Sequence, residues 1–284
     1  MKIIRSAPEL ERTVRGWNSR SPKPRVGFVP TMGALHEGHR ALVRRARRAN
    51  AIVVVSIFVN PLQFGPGEDY ARYPRTESAD MRLLRNAGAD VVFIPAPRPF
   101  LRHKLLKKTF LPPLAAPLCG RFRPGHFQGV VNIVAFLFRL VRPDRAYFGQ
   151  KDYQQVRVVA EMTRRVFGAR PRIVLCPTVR EPDGLAMSSR NRYLTPEERR
   201  RALGLIKALR RGARALRRGQ RTPAVLRGLR DRLQREGISQ IDYVAAVDGK
   251  SLKNVVKWSP RRPLLLAAAV KIGKTRLIDN LLIK

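Results

Sequence analysis

The chain has 284 residues, 44% of them hydrophobic, so it is long and apolar enough to fold into one or two globular domains. Lysine and arginine outnumber the acids 58 to 20, and the resulting net charge of +38 would ordinarily indicate nucleic acid or an anionic surface as a partner. There is no signal-peptide pattern, no apolar run near the ~20 residues that span a bilayer, and no disulfide framework from Cys119 and Cys176, so we expect a cytoplasmic protein without a membrane segment.

Strand and helix patterns alternate through the first part of the chain. Short apolar, β-branched runs predict buried strands at residues 26–30, 52–59, 91–95 and 172–176. Helical patterns lie between them at residues 38–50, at 78–87 and from about 152. This alternation is typical of an α/β fold with a Rossmann-like parallel sheet, in which ligands bind beyond the carboxyl ends of the strands. The proline-rich stretch 93–117 is predicted to be a loop.

The pattern changes after residue 191. Thr195, Pro196, Glu197 and Glu198 combine a cap, a proline at the first helical position and two acids in the first turn, which predicts the start of a helix. Arginine-rich helices follow to about residue 236, and strands are predicted at 241–247 and 264–270. We therefore predict a Rossmann-like nucleotide-binding domain over 1–178 and a smaller α+β domain over 179–284.

The basic residues are concentrated on predicted helices. Leu203, Ile206, Leu209, Ala213 and Leu216 recur at helical spacing, so the neighbouring arginines decorate the outer face of an amphipathic helix. Aromatic residues are not interleaved with the basic runs, which argues against a single-strand nucleic-acid platform. A solvated, arginine-rich surface and non-specific polyanion binding at low salt both remain open.

Two histidines lie where a predicted strand ends and a helix begins. In the sequence His36-Glu37-Gly38-His39, the glycine allows close approach to the backbone and the helix N-terminus favours an anion. Two imidazoles beside phosphoryl oxygens can stabilise the negative charge that develops in adenylyl transfer. Zinc ligation is the alternative, although no cysteine or carboxylate cluster accompanies the pair.

Three further segments carry polar groups suited to a nucleotide or an acid. Ser188, Ser189 and Arg190 offer two hydroxyls and a guanidinium to phosphate. Lys151, after Gly149, can reach phosphate, and the adjacent Asp152 can hold a ribose hydroxyl or cap a helix. Asn60 and Gln63 follow a buried strand and offer amides to a carboxylate or hydroxyl; the alternative is an ordinary strand end with turn residues.

The histidine segment and the Met187-Ser188-Ser189-Arg190 segment together resemble the paired signatures of the HIGH-type nucleotidyltransferases. The resemblance becomes specific for the pantothenate synthetase family, nearly end to end and with its motifs in order. The matching segments are 28–39, 53–64, 73–76, 123–127, 148–155, 177–194 and 273–280.

The resemblance implies an enzyme that condenses pantoate with β-alanine at the expense of ATP, giving pantothenate, AMP and pyrophosphate through a pantoyl adenylate. It also implies a homodimer and a requirement for Mg²⁺. Magnesium would bridge phosphate oxygens and offset charge as pyrophosphate leaves. A homodimer would bring +38 on each subunit into the contact.

The resemblance implies these residue roles. His39 is the catalytic proton donor, assisted by His36 and Lys151; Gln63 holds pantoate and borders the β-alanine site; Gln155 also holds pantoate; and Asp80 serves Mg²⁺. The implied ATP-binding residues are Met32, Gly33, Ala34, Leu35, His36, Glu37, Gly38, His39, Gly149, Gln150, Lys151, Asp152, Val179, Met187, Ser188, Ser189 and Arg190.

The chain departs from the family pattern in two places: residues 98–108 replace an expected turn, and Ala79 stands beside Asp80 where an acid is sometimes found. Two other functions remain open. Another nucleotidyltransferase of the superfamily would not need Gln63 and Gln155. A basic nucleic-acid-binding protein on a degenerate ligase scaffold would have lost His39, Lys151 or the Ser-Ser-Arg segment, and none is lost.

Overall fold

The computed structural model describes residues Met1–Lys284, which divide by their internal contacts into two compact units. The first unit comprises Met1–Ala115, Arg123–Gly149 and Gln155–Pro177. The second comprises Ala116–Phe122, Gln150–Gln154 and Thr178–Lys284, so two short segments from the first 178 residues belong to it. None of the helices combines the length and apolar character that crossing a membrane requires.

The strands are β1 (Lys2–Ile4), β2 (Val26–Thr31), β3 (Ile52–Ile57), β4 (Val91–Phe93), β5 (Arg145–Gly149), β6 (Arg172–Cys176), β7 (Gln240–Asp248), β8 (Leu264–Ile272) and β9 (Thr275–Ile283). The helices are α1 (Ala7–Asn18), α2 (Glu37–Arg47), α3 (Glu77–Ala87), α4 (Pro97–Leu101), α5 (Cys119–Phe122), α6 (His126–Val141), α7 (Tyr153–Phe167), α8 (Pro196–Arg217) and α9 (Thr222–Arg235).

The first unit is built on a six-stranded parallel sheet in the order β1-β4-β3-β2-β5-β6. Residues from β2, β3 and β4 pack with apolar side chains of α2 and α3, such as Val43 and Leu84, in a core cluster closed to solvent. The strand order reverses between β2 and β5, and ligands of such sheets bind outside the carboxyl ends at this switch point. The segments after Thr31 and after Gly149 both begin there.

The second unit has a three-stranded antiparallel sheet, β7-β8-β9, against which α8 and α9 pack. The start of α8 is the predicted one: Thr195 Oγ1 accepts from the Glu198 N–H at 3.2 Å, and the Glu198 carboxylate accepts from the Thr195 N–H at 3.0 Å. Leu209 and Leu216 face the core while Arg210, Arg214 and Arg217 are exposed. The predicted arginine-coated amphipathic helix is therefore confirmed.

The predicted α/β fold is confirmed, but the sequence patterns missed three strands. β1 is only three residues long, and β5 is a five-residue strand that begins with arginine. β9 carries Asp279 and Asn280 in its middle, where polar residues interrupt the apolar pattern that indicates a strand.

The prediction of a loop over 93–117 is wrong for part of its length. It contains α4, whose Phe100 is buried between Phe58 and Phe136 with ring centroids 4.7 and 4.6 Å away. Burying a phenylalanine contributes about 1.5–3 kcal/mol, enough to anchor a short helix that has little periodicity of its own.

Candidate active site

The segment from Met32 to His39 connects β2 to α2 at the switch point. Gly33 has φ +79° and Ala34 has φ +49°, two consecutive left-handed residues that turn the chain sharply. A Cβ on Gly33 would lie 3.0 Å from Ile57 Cγ2, so both the backbone angle and the space favour glycine. We call residues 33–36 the switch-point loop.

The two imidazoles are held by a reciprocal pair of backbone hydrogen bonds. His36 caps α2, with Nδ1 accepting from the Gly38 N–H at 3.1 Å, and His39 Nδ1 accepts from the His36 N–H at 3.3 Å. The ring centroids are 4.1 Å apart. Because both Nδ1 atoms accept, the neutral rings carry their protons on Nε2, which suits them to donate to phosphate oxygens.

Asp80, in the first turn of α3, binds the backbone of the switch-point loop. Its carboxylate accepts from the N–H groups of Ala34 at 3.0 Å and Leu35 at 2.8 Å, and from Thr76 Oγ1 at 3.0 Å. The residue is 2% exposed. No group of three or more His, Cys, Asp or Glu in the chain is arranged to hold a metal ion. These contacts do not fit the predicted role of Asp80 as a magnesium ligand, since both oxygens already serve protein donors.

Gln63 lies beside the first residue of the implied ATP-binding segment. Its Nε2 contacts Met32 Sδ, and its Oε1 accepts from Asn60 Nδ2 at 3.1 Å. The structure therefore brings together the residue implied for pantoate and the segment implied for ATP. Asn60 is buried: its Nδ2 also donates to the Gly129 carbonyl at 3.1 Å and its Oδ1 accepts from the Leu62 N–H at 3.1 Å, so it fixes the turn instead of offering its amide to a ligand.

Gln63 is held through its backbone by three residues to which the sequence motifs assigned no role. Arg123 Nη2 donates to the Gln63 carbonyl at 3.2 Å, and His126 Nδ1 lies 2.8 Å from the same oxygen. Glu68 pairs with the Arg123 guanidinium. The sequence contains the Arg-Pro-Gly-His motif, but nothing in its spacing shows that it holds a residue 60 positions earlier.

Three further residues implied for the site, Gly149, Gln155 and Glu37, lie at the ends of elements of the first unit. Gly149 ends β5 opposite Cys176 of β6, and Gln155 lies half-buried in the first turn of α7. Glu37, in the first turn of α2, forms an ion pair with Arg40 at 2.7 Å.

In the second unit, the segment 150–152 is held by β9. Asn280 Nδ2 donates to the carbonyls of Gln150 and Lys151, both at 2.9 Å, while Gln150 Nε2 donates to Asn280 Oδ1 at 3.3 Å. Asn280 is 4% exposed, so these bonds are made in the interior. Lys151 Nζ lies 3.8 Å from Asp152 Oδ1. The segment is thus held by β9 through its backbone carbonyls.

The implied adenine and phosphate residues of the second unit share one hairpin. The Met187 N–H donates to the Val179 carbonyl at 3.0 Å, which places the two residues side by side. Arg180 anchors the hairpin with two hydrogen bonds to the buried Asp279 carboxylate, at 2.7 and 3.0 Å. Ser188 Oγ accepts from the Arg190 N–H at 3.3 Å and so caps the turn that begins at Ser189. Asp279 and Asn280 are therefore positioning residues, and the sequence signals for them were the matching segment 273–280 and their polarity within a strand pattern.

A parallel sheet with an imidazole-bearing loop and a helix N-terminus at its switch point defines the class of Rossmann-like nucleotide-binding proteins. A sequence profile described as Pantoate-beta-alanine ligase matches residues 2–282. The chain belongs to this family.

Individual relatives agree with the profile. The chain is 47% identical to a pantothenate synthetase of Thermotoga neapolitana over 281 residues, 99% of both chains. It is 49% identical to that of Moorella thermoacetica over 260 residues, 91% of both. A pantothenate synthetase structure from Thermus thermophilus superposes with a TM-score of 0.91 at 44% identity, covering 100% of this chain and 99% of that one.

A second solved structure is informative for its ligands. The pantoate-beta-alanine ligase of Francisella tularensis, described as complexed with beta-gamma ATP and beta-alanine, superposes with a TM-score of 0.81 at 33% identity, covering 99% of this chain and 97% of that one. The predicted fold class and family are thus confirmed.

Proposed function

We propose that this chain is an ATP-dependent pantoate–β-alanine ligase of pantothenate biosynthesis. Membership in the family supports the reaction. The observation that carries it in this molecule is the contact of Gln63 with Met32, because it sets an amide suited to a hydroxy acid beside the loop that presents two imidazoles.

The first half-reaction is adenylation. A pantoate carboxylate oxygen attacks the α-phosphorus of ATP, the bond to the pyrophosphate oxygen breaks, and pyrophosphate leaves with the electron pair. His36 and His39 donate hydrogen bonds from Nε2 to phosphate oxygens and so stabilise the negative charge that develops on the leaving pyrophosphate; His39 is the donor that the family resemblance singles out. Gln63 and Gln155 hold pantoate with its carboxylate in line, and this positioning supplies much of the rate.

The second half-reaction forms the amide. The amine of β-alanine attacks the acyl carbon of pantoyl adenylate, the carbon–oxygen bond to the phosphate breaks, AMP leaves and the nitrogen loses a proton. Gln63 borders the β-alanine site. Asn60 bonds the Gln63 side chain, while Arg123 and His126 hold its backbone carbonyl, and together they keep the amide in place through both steps.

We assign the remaining nucleotide contacts to five segments. They are residues 32–39, Gly149, the segment 150–152 with Gln150, Lys151 and Asp152, Val179, and Met187 to Arg190, as the family resemblance implies. Lys151 and Arg190 supply positive charge to the triphosphate, and Ser188 and Ser189 supply hydroxyl donors. The hydrogen bonds of Asn280 and the Arg180–Asp279 pair support the assignment, since they fix the backbone of two of these segments.

Magnesium is proposed to arrive with ATP. Mg²⁺ usually keeps several waters and binds substrate phosphates through few protein carboxylates. The contacts of Asp80 do not fit a ligand, so no step of the reaction is assigned to an ion held by the protein.

The reaction is tested by measuring AMP release with pantoate, β-alanine and Mg-ATP, each small substrate omitted in turn. AMP and pantothenate should form only when both are present. Pantoate-dependent pyrophosphate release without an amine-dependent product would favour another nucleotidyltransferase. No nucleotide turnover at all, together with structure-selective RNA binding at physiological salt, would favour a nucleic-acid-binding protein.

A homodimer and a cytoplasmic location are further parts of the proposal. The family resemblance supports the dimer, and two buried free thiols, Cys119 and Cys176, suit a reducing compartment. Repulsion between subunits carrying +38 is screened over about 8 Å at physiological salt. Light scattering at 20 and 300 mM salt should therefore give a dimer that tightens with salt; a monomer at both would remove this part of the proposal.

A further inference from the structure

We infer that Asp80 is a positioning residue: its carboxylate is the internal anion that holds the switch-point loop in the shape that presents His36 and His39. The inference rests on the proposed function for its consequence on rate, although not for its geometry. It replaces the metal-binding role that the resemblance implied for this residue.

The first argument comes from the backbone of the loop. Consecutive N–H groups in a turn that includes left-handed residues form a concavity that binds anions. Here the N–H groups of Ala34 and Leu35 converge on one carboxylate, at 3.0 and 2.8 Å. The anion site made by these two groups is therefore filled by the protein, and phosphate contacts are left to the imidazoles and the start of α2.

The second argument is the conformational cost of the loop. Ala34 has φ +49°, a left-handed angle that is unfavourable for a residue with a Cβ and that persists only where the surroundings enforce it. The hydrogen bond from its N–H to Asp80 is such an enforcement. Since His36 follows two residues later as the cap of α2, releasing Ala34 would turn the imidazole pair away from its present orientation.

The third argument concerns access. Asp80 is 2% exposed, and Oδ1 already accepts from both Leu35 N–H and Thr76 Oγ1. A hydrated Mg²⁺ would have to displace these donors to reach the oxygen. The neighbouring residue, Ala79, has no group to share the ion, and no cluster of ligating side chains surrounds the site.

The experiment compares Asp80→Asn with Asp144→Asn. Asp144 is a matched control, because its carboxylate also accepts a backbone N–H, that of Val26 at 2.8 Å, but at the amino ends of β2 and β5. Asp80→Asn keeps the size of the side chain and sets an NH₂ group against N–H or O–H donors. We expect kcat for adenylate formation to fall on the order of 10²-fold, with the half-saturating Mg²⁺ concentration unchanged. Asp144→Asn should retain kcat.

The second readout needs no activity. The chain has four histidines, so their imidazole nitrogens can be resolved by NMR. In Asp80→Asn the signals of His36 and His39 should shift and those of His103 and His126 should not. Unchanged His36 and His39 signals in the folded variant would overturn the inference. So would a kcat that recovers fully when Mg²⁺ is raised, because that result would make Asp80 a metal ligand.

If Asp80→Asn does not fold, Thr76→Val removes one donor to the same carboxylate and leaves the loop N–H groups in place. We expect a smaller fall in kcat and a smaller shift of the same two histidines; wild-type spectra in that variant would also overturn the inference. An inactive wild-type enzyme whose His36 and His39 signals still shift in Asp80→Asn would remove the proposed function and leave the loop assignment standing.

Discussion

His39 makes one hydrogen bond within the protein and is assigned a second one to phosphate, and substitution of this residue tests the second. Its Nδ1 accepts from the His36 N–H, and its Nε2 is assigned to phosphate. In His39→Ala both are lost, so we expect pantoyl-adenylate formation to fall by about 10²–10³-fold, the usual cost of removing one donor to a developing charge. Single-turnover measurement of the adenylate isolates this step.

His103→Ala is the matched control for that experiment. His103 Nδ1 also accepts a backbone N–H, from Leu105 at 3.2 Å, so the control loses a comparable local bond without touching the switch-point loop. Its adenylation rate should equal the wild-type rate. A His39→Ala enzyme as fast as the control would contradict the assigned role.

The ion pair between Glu68 and Arg123, which holds the backbone of Gln63, predicts that stability depends on pH. Burial raises the pKa of Glu68, but the hydrogen bonds and charge of Arg123 lower it by a larger amount, so the pKa lies below its ordinary value. A carboxyl whose pKa is lower in the folded state stabilises the protein above its unfolded pKa, and this contribution is lost as the pH falls through the folded pKa. The loss thus begins below about pH 4.3.

We expect Glu68→Gln to reduce the free energy of unfolding at pH 7 by about 1–3 kcal/mol and to make its decline towards pH 3 shallower. Denaturant titrations at pH 7, 5, 4 and 3 measure both effects. Glu161→Gln, which removes the same charge from a more exposed pair with Arg164, should change little. Parallel pH profiles for wild type and Glu68→Gln would show that the pair does not carry the effect.

For individual residues, the sequence identified which side chains belong to the candidate site but not which residues they bind. A strand end followed by two histidines indicated a phosphate site, and the geometry of His36 and His39 fits that interpretation. The carboxylate that accepts from Ala34 lies 46 positions away, and the carbonyl that Asn280 binds at Lys151 lies 129 positions away. Contacts over such separations depend on the folded sheet and leave no trace in local spacing.

At the level of secondary-structure elements, β9 is the strand whose side chains most directly hold a segment of the candidate site in place. Asn280 donates two hydrogen bonds to the carbonyls of Gln150 and Lys151. In Asn280→Ala both part-buried carbonyls lose their donor, so we expect a loss of about 1–3 kcal/mol in the free energy of unfolding. We also expect a higher KM for ATP, since the backbone that carries Lys151 is released.

Thr195→Ala provides the comparison. It removes the cap of α8 and should cost about 1 kcal/mol while leaving the KM for ATP unchanged. Denaturation curves and ATP titrations on both variants separate the two effects. An unchanged KM in Asn280→Ala would mean that the β9 contacts support stability alone.

The sequence predicted elements where periodicity was strong and missed them where it was weak. The α8 pattern of cap, proline and spaced leucines gave the helix and its faces. In β9, the polar pair Asp279 and Asn280 broke the apolar pattern because these side chains serve the hairpin at 179–187 and the segment at 150–152. The residues that obscured the strand are those that connect it to the candidate site.

For the molecule as a whole, the charge of +38 predicts salt-dependent binding of polyanions. Lys207, Arg211, Arg214 and Arg218 are exposed at helical spacing of four, three and four residues, so they line one face of α8 and its end. Replacing these four by glutamine should weaken binding to single-stranded RNA, and log Kd against log salt should lose up to about 0.7 of slope per lost contact. The kcat of the ligase should not change.

The control carries the same charge change elsewhere, with Arg12, Arg15, Arg20 and Lys23 replaced by glutamine; all four are exposed. A smaller effect there would assign the binding to the face of α8. Equal effects would mean that net charge alone governs it. RNA affinity that does not vary between 50 and 300 mM salt would contradict the electrostatic origin altogether.

The chain enters the second unit three times, at Ala116–Phe122, Gln150–Gln154 and Thr178–Lys284. During synthesis, therefore, two short stretches leave the ribosome long before their partners exist. The Tyr153 hydroxyl must wait for the carbonyl of Gly249, and the Cys119 thiol for the hydroxyl of Tyr243. The segment Gln150–Gln154, which contains residues assigned above to the nucleotide, thus takes its final form only when Asn280 has been made, so we expect an unfinished chain to lack ligase activity.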